Sequence, residues 1–452
     1  MKLRKLFALA LAAVMLALPV AAAEPSNWAL SELTDSEALG MLSDEDMDAI
    51  QDTVTAEKLD AICAVLDARL AAAGLEKKSA FTAAAAPQGE VTRGDVMQRL
   101  YDTAAGYALP ADVLDAGWSP VEALQNWGVV NGYSDGSVQE DRPCTLEEAL
   151  VMGSRCATAL IDRLGGGSKG LLWKAEKGES VVYLLGTIHI DRGNIYPFGE
   201  QLRGVLAEAQ RVVFEVDFGN QDQIAQFAAL QAYSDGSKLS DHISAELYQR
   251  VVSALKPYGY PEVIVNQLKP WVLANLFTSL QASDVEEGQS AAPMVIDMYV
   301  YSKALVEGKE IGEIEGYMYQ GQLFDSLSEE YQLAYLEQSV EAFEQSKNGD
   351  EDTDEMGAAY DELIGFWIGR DIDGFTQVYD KDAMSEVEDE LTAKLFGERD
   401  DHMSAYVKEI LDSGEKGTTL IVVGAGHMVG ETGIVKQLLD AGYTVAAVED
   451  VQ

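Results

Sequence analysis

Cysteine, histidine and positive charge are all scarce in this chain, and each shortage narrows what it can do. Only three cysteines occur, Cys63, Cys144 and Cys156, and no C-x-x-C is among them. An odd count allows at most one internal disulfide, and the spacing offers neither a thiol active site nor a structural zinc cluster. Lysine and arginine together number 32, against 76 aspartates and glutamates. A surface this acidic repels phosphate, so nucleic acid is excluded as a partner and adsorption to anionic lipid is disfavoured. A Walker loop, a helix-borne H-E-x-x-H and a G-x-G-x-x-G after a strand are all missing. Their absence removes the usual phosphate cradle, zinc helix and dinucleotide site.

What is present begins with a basic start (Lys2, Arg4, Lys5), an apolar run, and Ala21-Ala22-Ala23 before Glu24. This reads as a secretory signal peptide over 1–23, too short in its apolar core to be a membrane span. Its removal takes three positive charges from a net −44 and leaves −47. The expected product is secreted or cell-wall associated. No later segment is long and apolar enough to cross a membrane. The acidic stretch "NGDEDTDEMG" (348–357) reads as a solvated loop without the ligand order of an EF-hand.

Two composition shifts mark linkers, at 77–90 and at the glycine-rich 162–170. Before the second, the pattern is helical, and three stretches (54–70, 91–104 and 144–160) each open on a threonine at a helix N-cap, Thr55, Thr92 and Thr145. With "GVVNGYSDGS" ahead of the last, residues 24–76 and 91–165 resemble a degenerate S-layer homology domain. That resemblance implies cell-wall polysaccharide as a partner. The Thr-Arg pair of that family survives only as Thr92-Arg93; the other copies read Thr55-Ala56 and Thr145-Leu146.

Residues 171–452 alternate short β-branched runs with amphipathic stretches, the pattern of an α/β domain with a mostly parallel sheet flanked by helices. Two runs, "VVYLL" (181–185) and "TTLIVV" (418–423), each lead into Gly-x-x-His, ending at His189 and His427. Parallel strands deliver such residues to one edge of the sheet, where α/β proteins bind ligands, with Gly186 and Gly424 expected to allow a sharp turn. A third strand, "RVVFEVDF" (211–218), carries Glu215 in an apolar run, an expensive place for a carboxylate unless it is paired or binds a cation. Asp217 reads as a strand-end acid. "EIGEIE" (310–315) reads as a strand with Glu313 and Glu315 exposed at its end. Two imidazoles and one or two carboxylates on adjacent strand ends suit a divalent metal, Mn, Co or Zn. His242 and His402 read as surface or capping residues, and "ELIGFWIGRDIDGF" (362–375) as core.

The ordered array "YLLGTIH", "VVFEVDF", "LKPWVLANL", "IEGYMYQGQLFDSL", "GERDDHM" and "IVVGAGHMVGETG" resembles the TraB/GumN family, whose animal relatives are the Tiki-type membrane-associated proteases. The resemblance implies a fold like that of the erythromycin-esterase and haem-binding ChaN-like proteins, and metal-dependent peptide hydrolysis. It assigns metal ligation to His189, His427, Glu215 and Glu315, and catalytic roles to Glu215, Glu315 and Arg399. The glutamate not ligating would act as general base, and Arg399 would stabilise the oxyanion or bind a substrate carboxylate. The family commonly has Asn where this chain has Asp400. The expected partner is a peptide or protein substrate. Two alternatives stay open: a non-catalytic binder of haem, metal or a peptide signal, and an accessory protein in polysaccharide production.

Overall fold

The computed structural model describes residues 24–84, 87, 89–133, 135–189, 195–282, 294–348, 351–385 and 389–449; the expected signal peptide lies outside them. The described residues divide into two compact units, one within 24–168 and 195–203, the other within 169–189 and 204–449. The glycine-rich stretch is therefore not the whole boundary. Residues 195–203 group with the helical unit, where Ser168 donates its backbone N–H to the Pro197 carbonyl at 3.0 Å and accepts from the Gly199 N–H at 2.8 Å.

The helical unit contains α1 (Leu30–Ala38), α2 (Ala56–Ala72), α3 (Arg93–Ala105), α4 (Pro120–Asn126) and α5 (Leu146–Arg163). The expected threonine caps are present. Thr55, Thr92 and Thr145 accept from the N–H groups of Lys58, Asp95 and Glu148, with capping boxes closed at the last two. Arg93 is only 9% exposed and points inward, to Glu148 at 3.1 Å and the Val138 carbonyl at 3.2 Å. An arginine so committed has no free fork to offer an anionic glycan. All three cysteines are free and buried. Burial pushes the Cys63 thiol up to about 11 and that of Cys144 to about 12. Cys144 precedes the N-cap of α5 and Cys156 lies ten residues into that helix, about 15 Å from its first residue at helical rise, far beyond bridging distance.

The other unit is built on a six-stranded sheet in the order β4-β3-β5-β2-β1-β6. The strands are β1 (Leu171–Lys177), β2 (Ser180–Thr187), β3 (Arg211–Phe214), β4 (Glu310–Glu313), β5 (Gly417–Gly424) and β6 (Thr444–Ala447). Strands β4, β3, β5 and β2 run parallel, while β1 pairs antiparallel with both β2 and β6. Buried on both faces, the central strands read as continuous apolar runs; Leu184, Leu185, Val212, Val213, Val422 and Val423 are almost wholly inaccessible. Helices α6 (Pro270–Ala282), α7 (Ile296–Val306), α8 (Tyr317–Asp325), α9 (Glu329–Asn348), α10 (Glu398–Asp412) and α11 (Ala425–Met428) are among those in the unit. Leu273 and Phe277 of α6 pack with Leu336, Val340 and Phe343 of α9 in one apolar cluster. Trp271, Tyr317, Phe324, Leu395 and Phe396 belong to a second, beside the carboxyl edge of the sheet.

Three local expectations are corrected. Strand β3 stops at Phe214, so Glu215 stands just beyond it, and residues 348–357 are not a loop throughout, because a helix runs over Glu351–Gly369. Residues 362–375 are core as expected, with Trp367 and Phe375 buried, but the chain breaks between helices at Arg370, whose φ is 58°.

Candidate functional site

The register brings the sequence motifs together. Thr187 at the end of β2 lies opposite Gly424 at the end of β5, and Phe214 at the end of β3 lies opposite Val422. His189, Glu215 and His427 thus leave three adjacent strand ends on the same edge, the binding edge of a parallel sheet. Gly424 marks their meeting point. A Cβ added there would lie 3.4 Å from Glu215 Oε1, 3.7 Å from His427 Cδ2 and 3.9 Å from His189 Nε2. Neither motif glycine turns through a positive φ, as the sequence suggested; Gly424 has φ −53°. Of the two, Gly186 is needed for space. At Gly186 a Cβ would stand 3.0 Å from Ala425 Cα, where the two motifs cross.

Because those Gly424 distances are ordinary van der Waals contacts, Gly424→Ala is expected to fold while placing a methyl between the three side chains. Ligand or metal uptake should drop at least tenfold with an unfolding midpoint near wild type, measured by titration and thermal denaturation. A large fall in the midpoint with uptake intact would contradict this geometry.

Glu215 is one of two carboxylates held by a single guanidinium. Arg399, near the start of α10, donates from Nε to Glu315 Oε1 at 2.8 Å and from Nη2 to Glu315 Oε2 at 2.7 Å. The same Nη2 reaches Glu215 Oε2 at 2.9 Å. Gln320 of α8 bridges the pair, 2.7 Å from Glu215 Oε2 and 3.0 Å from Glu315 Oε2. Glu215 Oε1 accepts from the Gly424 N–H at 2.7 Å. Burial alone would raise the Glu215 carboxyl; Arg399, then His427 and His189, and the Gly424 N–H overcome it and hold it down to about 2. Burial alone would lower the Arg399 guanidinium, but the two glutamates raise it above its ordinary value.

Glu315 is not exposed at a strand end, as its sequence suggested. Its side chain is fully buried against Arg399, and its main chain extends the β3–β4 pairing: Glu315 N–H donates to the Glu215 carbonyl at 2.9 Å. Arg399 itself is 1% exposed, with its donors spent on Glu215, Glu315 and the Leu395 carbonyl. It anchors carboxylates of the chain and presents no free fork for a substrate. Glu313 accepts from Gln223 at 2.6 Å and from the Asp217 N–H at 3.1 Å, so both acids have structural partners.

Each histidine has its Nδ1 against an aspartate. His427 Nδ1 is 2.7 Å from Asp400 Oδ1, and His189 Nδ1 is 3.3 Å from Asp297 Oδ2. Asp400 also accepts from Lys381 Nζ and Thr432 Oγ1, both at 2.6 Å. Burial would raise the Asp400 carboxyl, but His427 and Lys381 bring it below its usual range. Burial pushes Lys381 down. Asp297, at the start of α7, accepts from Thr187 Oγ1 at 3.1 Å, and burial raises its carboxyl against the pull of His189. His189 Nε2 is buried with no hydrogen-bond partner among the described residues.

Asp297, Lys381, Gln320 and Thr432 were missed in the sequence. Asp297 carried the same signal as Glu215, an acid inside the apolar "MVIDMYV". His242, stacked 4.4 Å from Tyr233, and exposed His402 are not among the groups around Gly424. Among the described residues no group of three or more His, Cys, Asp and Glu side chains is arranged to hold a metal ion as it stands. Glu315, one of the four expected ligands, turns to Arg399.

The TraB/PrgY/gumN family matches residues 171–447. "Metalloprotease TIKI2" of Xenopus tropicalis is 22% identical over 317 residues, covering 61% of this chain and 59% of its own length. "Metalloprotease TIKI homolog" of Amphimedon queenslandica is 21% identical over 313 residues, covering 61% and 60%. The chain thus spans about six-tenths of the length of these curated relatives. No solved structure matches it significantly. The family match starts at residue 171, and the S-layer homology resemblance expected over 24–76 and 91–165 is without support. Among the described residues no helix is long and apolar enough to cross a membrane.

Proposed function

Because the chain belongs to the TraB/PrgY/gumN family, we propose that its α/β unit is a metal-dependent hydrolase acting on peptide or protein substrates. Export, as the expected signal peptide implies, is part of that reading. The observation that carries it is the unpartnered, buried Nε2 of His189, set beside Glu215 and a second histidine at the meeting of three strand ends. A buried imidazole nitrogen without a hydrogen bond is costly unless something else occupies it.

The residues fit a divalent cation in their chemistry. His427 is backed at Nδ1 by the Asp400 carboxylate, the arrangement that orients a metal-binding histidine and raises its basicity, while Asp297 Oδ2, 3.3 Å from His189 Nδ1, makes no hydrogen bond among the described residues. His189 and His427 would bind through Nε2, and Glu215 through Oε1, which accepts only one N–H and keeps a second lone pair. A cation so held supplies Lewis-acid polarisation of a carbonyl and a more acidic water. Glu215, held down to about 2, is ionised at any working pH and too weak a base to take a proton near neutrality. It therefore serves better as a fixed anion than as general base. Glu315 and Arg399 position it: their bidentate pair, with Gln320, fixes the Oε2 side and leaves Oε1 facing the histidines. The apolar cluster beside α10 excludes water from this network and strengthens it.

A second reading rests on the same His189–Asp297 contact. A histidine with a carboxylate oxygen near Nδ1 and Nε2 open has the parts of a general base, and could activate water without metal. Peptide-library cleavage by the purified chain, with and without chelator, decides between them. Cleavage lost with chelator and restored by Mn, Co or Zn supports the metal reading. Cleavage indifferent to chelator supports the second, and no cleavage under any condition contradicts both.

A further inference from the structure

Asp400 has a role in this site that neither the family resemblance nor the sequence assigns. Four donors surround it. Oδ2 accepts from Lys381 Nζ at 2.6 Å, Thr432 Oγ1 at 2.6 Å and the Gly397 N–H at 3.2 Å. Oδ1 faces only His427 Nδ1, at 2.7 Å. A carboxylate beside an ammonium group only accepts, so the hydrogen between Asp400 and His427 sits on Nδ1. Nε2 then presents a lone pair on the same ring edge as Cδ2, which borders the Gly424 meeting point.

The local backbone does not fix this ring. His427 lies in the four-residue helix α11, which has no side-chain cap. The Phe396 ring packs against it at 5.7 Å, a contact that limits its position without choosing a tautomer. Both side chains of the Lys381–Asp400 pair are fully buried. A buried ion pair of this kind is often no more stabilising than apolar residues of similar volume, so its place beside a site histidine calls for another explanation. Lys381 supplies the positive charge that pairs with the aspartate there.

We propose that Asp400 is a positioning residue, which with Lys381 as buried counter-ion locks His427 in the Nδ1–H tautomer with Nε2 free for a metal. The geometry stands alone; the consequence for metal binding rests on the hydrolase reading.

The test uses the full chain labelled with 15N-histidine, metal-free, with the His427 resonances assigned by comparison with His427→Gln. Tautomer is read by NMR, and zinc affinity by competition with a chromophoric chelator. Asp400→Leu with Lys381→Met removes the acceptor together with its counter-ion. Asp400→Asn with Lys381→Met restores an acceptor without charge. Wild type is expected to show Nδ1–H at His427. The leucine pair should lose that form and bind zinc about 10–100-fold more weakly. The asparagine pair should recover the tautomer and most of the affinity. An unchanged tautomer and affinity in the leucine pair would overturn the proposal. So would Nε2–H at His427 in the wild type, which decides the matter even if the leucine pair fails to fold. A wild type that shows Nδ1–H but takes up no zinc supports the positioning role and contradicts the metal reading.

Discussion

Arg399→Met is expected to destabilise the chain by about 3–5 kcal/mol, the usual cost of leaving buried charge without its partner. Two carboxylates depend on this one guanidinium, and Glu315 has its side chain entirely out of solvent. Losing Arg399 leaves Gln320 as the side-chain donor shared by Glu215 Oε2 and Glu315 Oε2. Urea denaturation of the isolated variant measures the effect. Arg399→Lys should rescue little, because a single ammonium cannot reproduce the two parallel N–H bonds to Glu315. Adding Glu315→Gln to Arg399→Met should recover part of the loss by removing one orphaned charge. A methionine variant as stable as wild type would show that the network contributes nothing to the fold.

Glu215→Gln is expected to change how stability responds to acid. The Glu215 carboxyl falls from an ordinary 4.5 to about 2 in the folded chain. A depressed acid stabilises the folded state above its unfolded value and loses that contribution as pH falls through the folded one. The window is therefore about pH 4.5 down to about 2, and the contribution above it is roughly 3 kcal/mol. Asp400, also lowered, acts in the same direction from its ordinary 3.8. Asp297 acts in the opposite one: its carboxyl is raised, so its part of the stability is present at low pH and is lost as pH rises. Asp400 therefore adds to the loss in acid that Glu215 causes, and Asp297 subtracts from it. Urea midpoints of wild type and Glu215→Gln should converge towards about pH 2 and separate above about pH 4.5. Parallel curves would contradict the ionised, Arg399-held state of Glu215.

The sequence made the strand ends legible and left their partners hidden, for physical reasons. "VVYLL" and "TTLIVV" are apolar throughout because β2 and β5 lie side by side in the middle of a sheet covered on both faces, so each Gly-x-x-His could be placed at its carboxyl edge. Glu215 was legible because ionised groups are rare in apolar runs. Asp297 had the same setting, but its meaning depends on α7 crossing to His189, a pairing over more than a hundred residues with no local trace. Glu315 and Arg399 were picked out, while their mutual bond was not, since each alone could as well face solvent. Local rules predicted Gly186 and Gly424 as turns; at Gly186 it is tertiary approach, invisible in the sequence, that requires glycine. In the helical unit, threonine caps are local and were read correctly, whereas the inward turn of Arg93 to Glu148 is tertiary and was not.

The most direct test of the central claim is the metal content of the purified chain after dialysis against Zn, beside His189→Ala and His427→Ala. Near one equivalent in wild type, and loss of most of it in each variant with the fold retained, is the predicted result. Equal content in all three would place any bound metal elsewhere. No metal in wild type would show that the two histidines meet for another purpose.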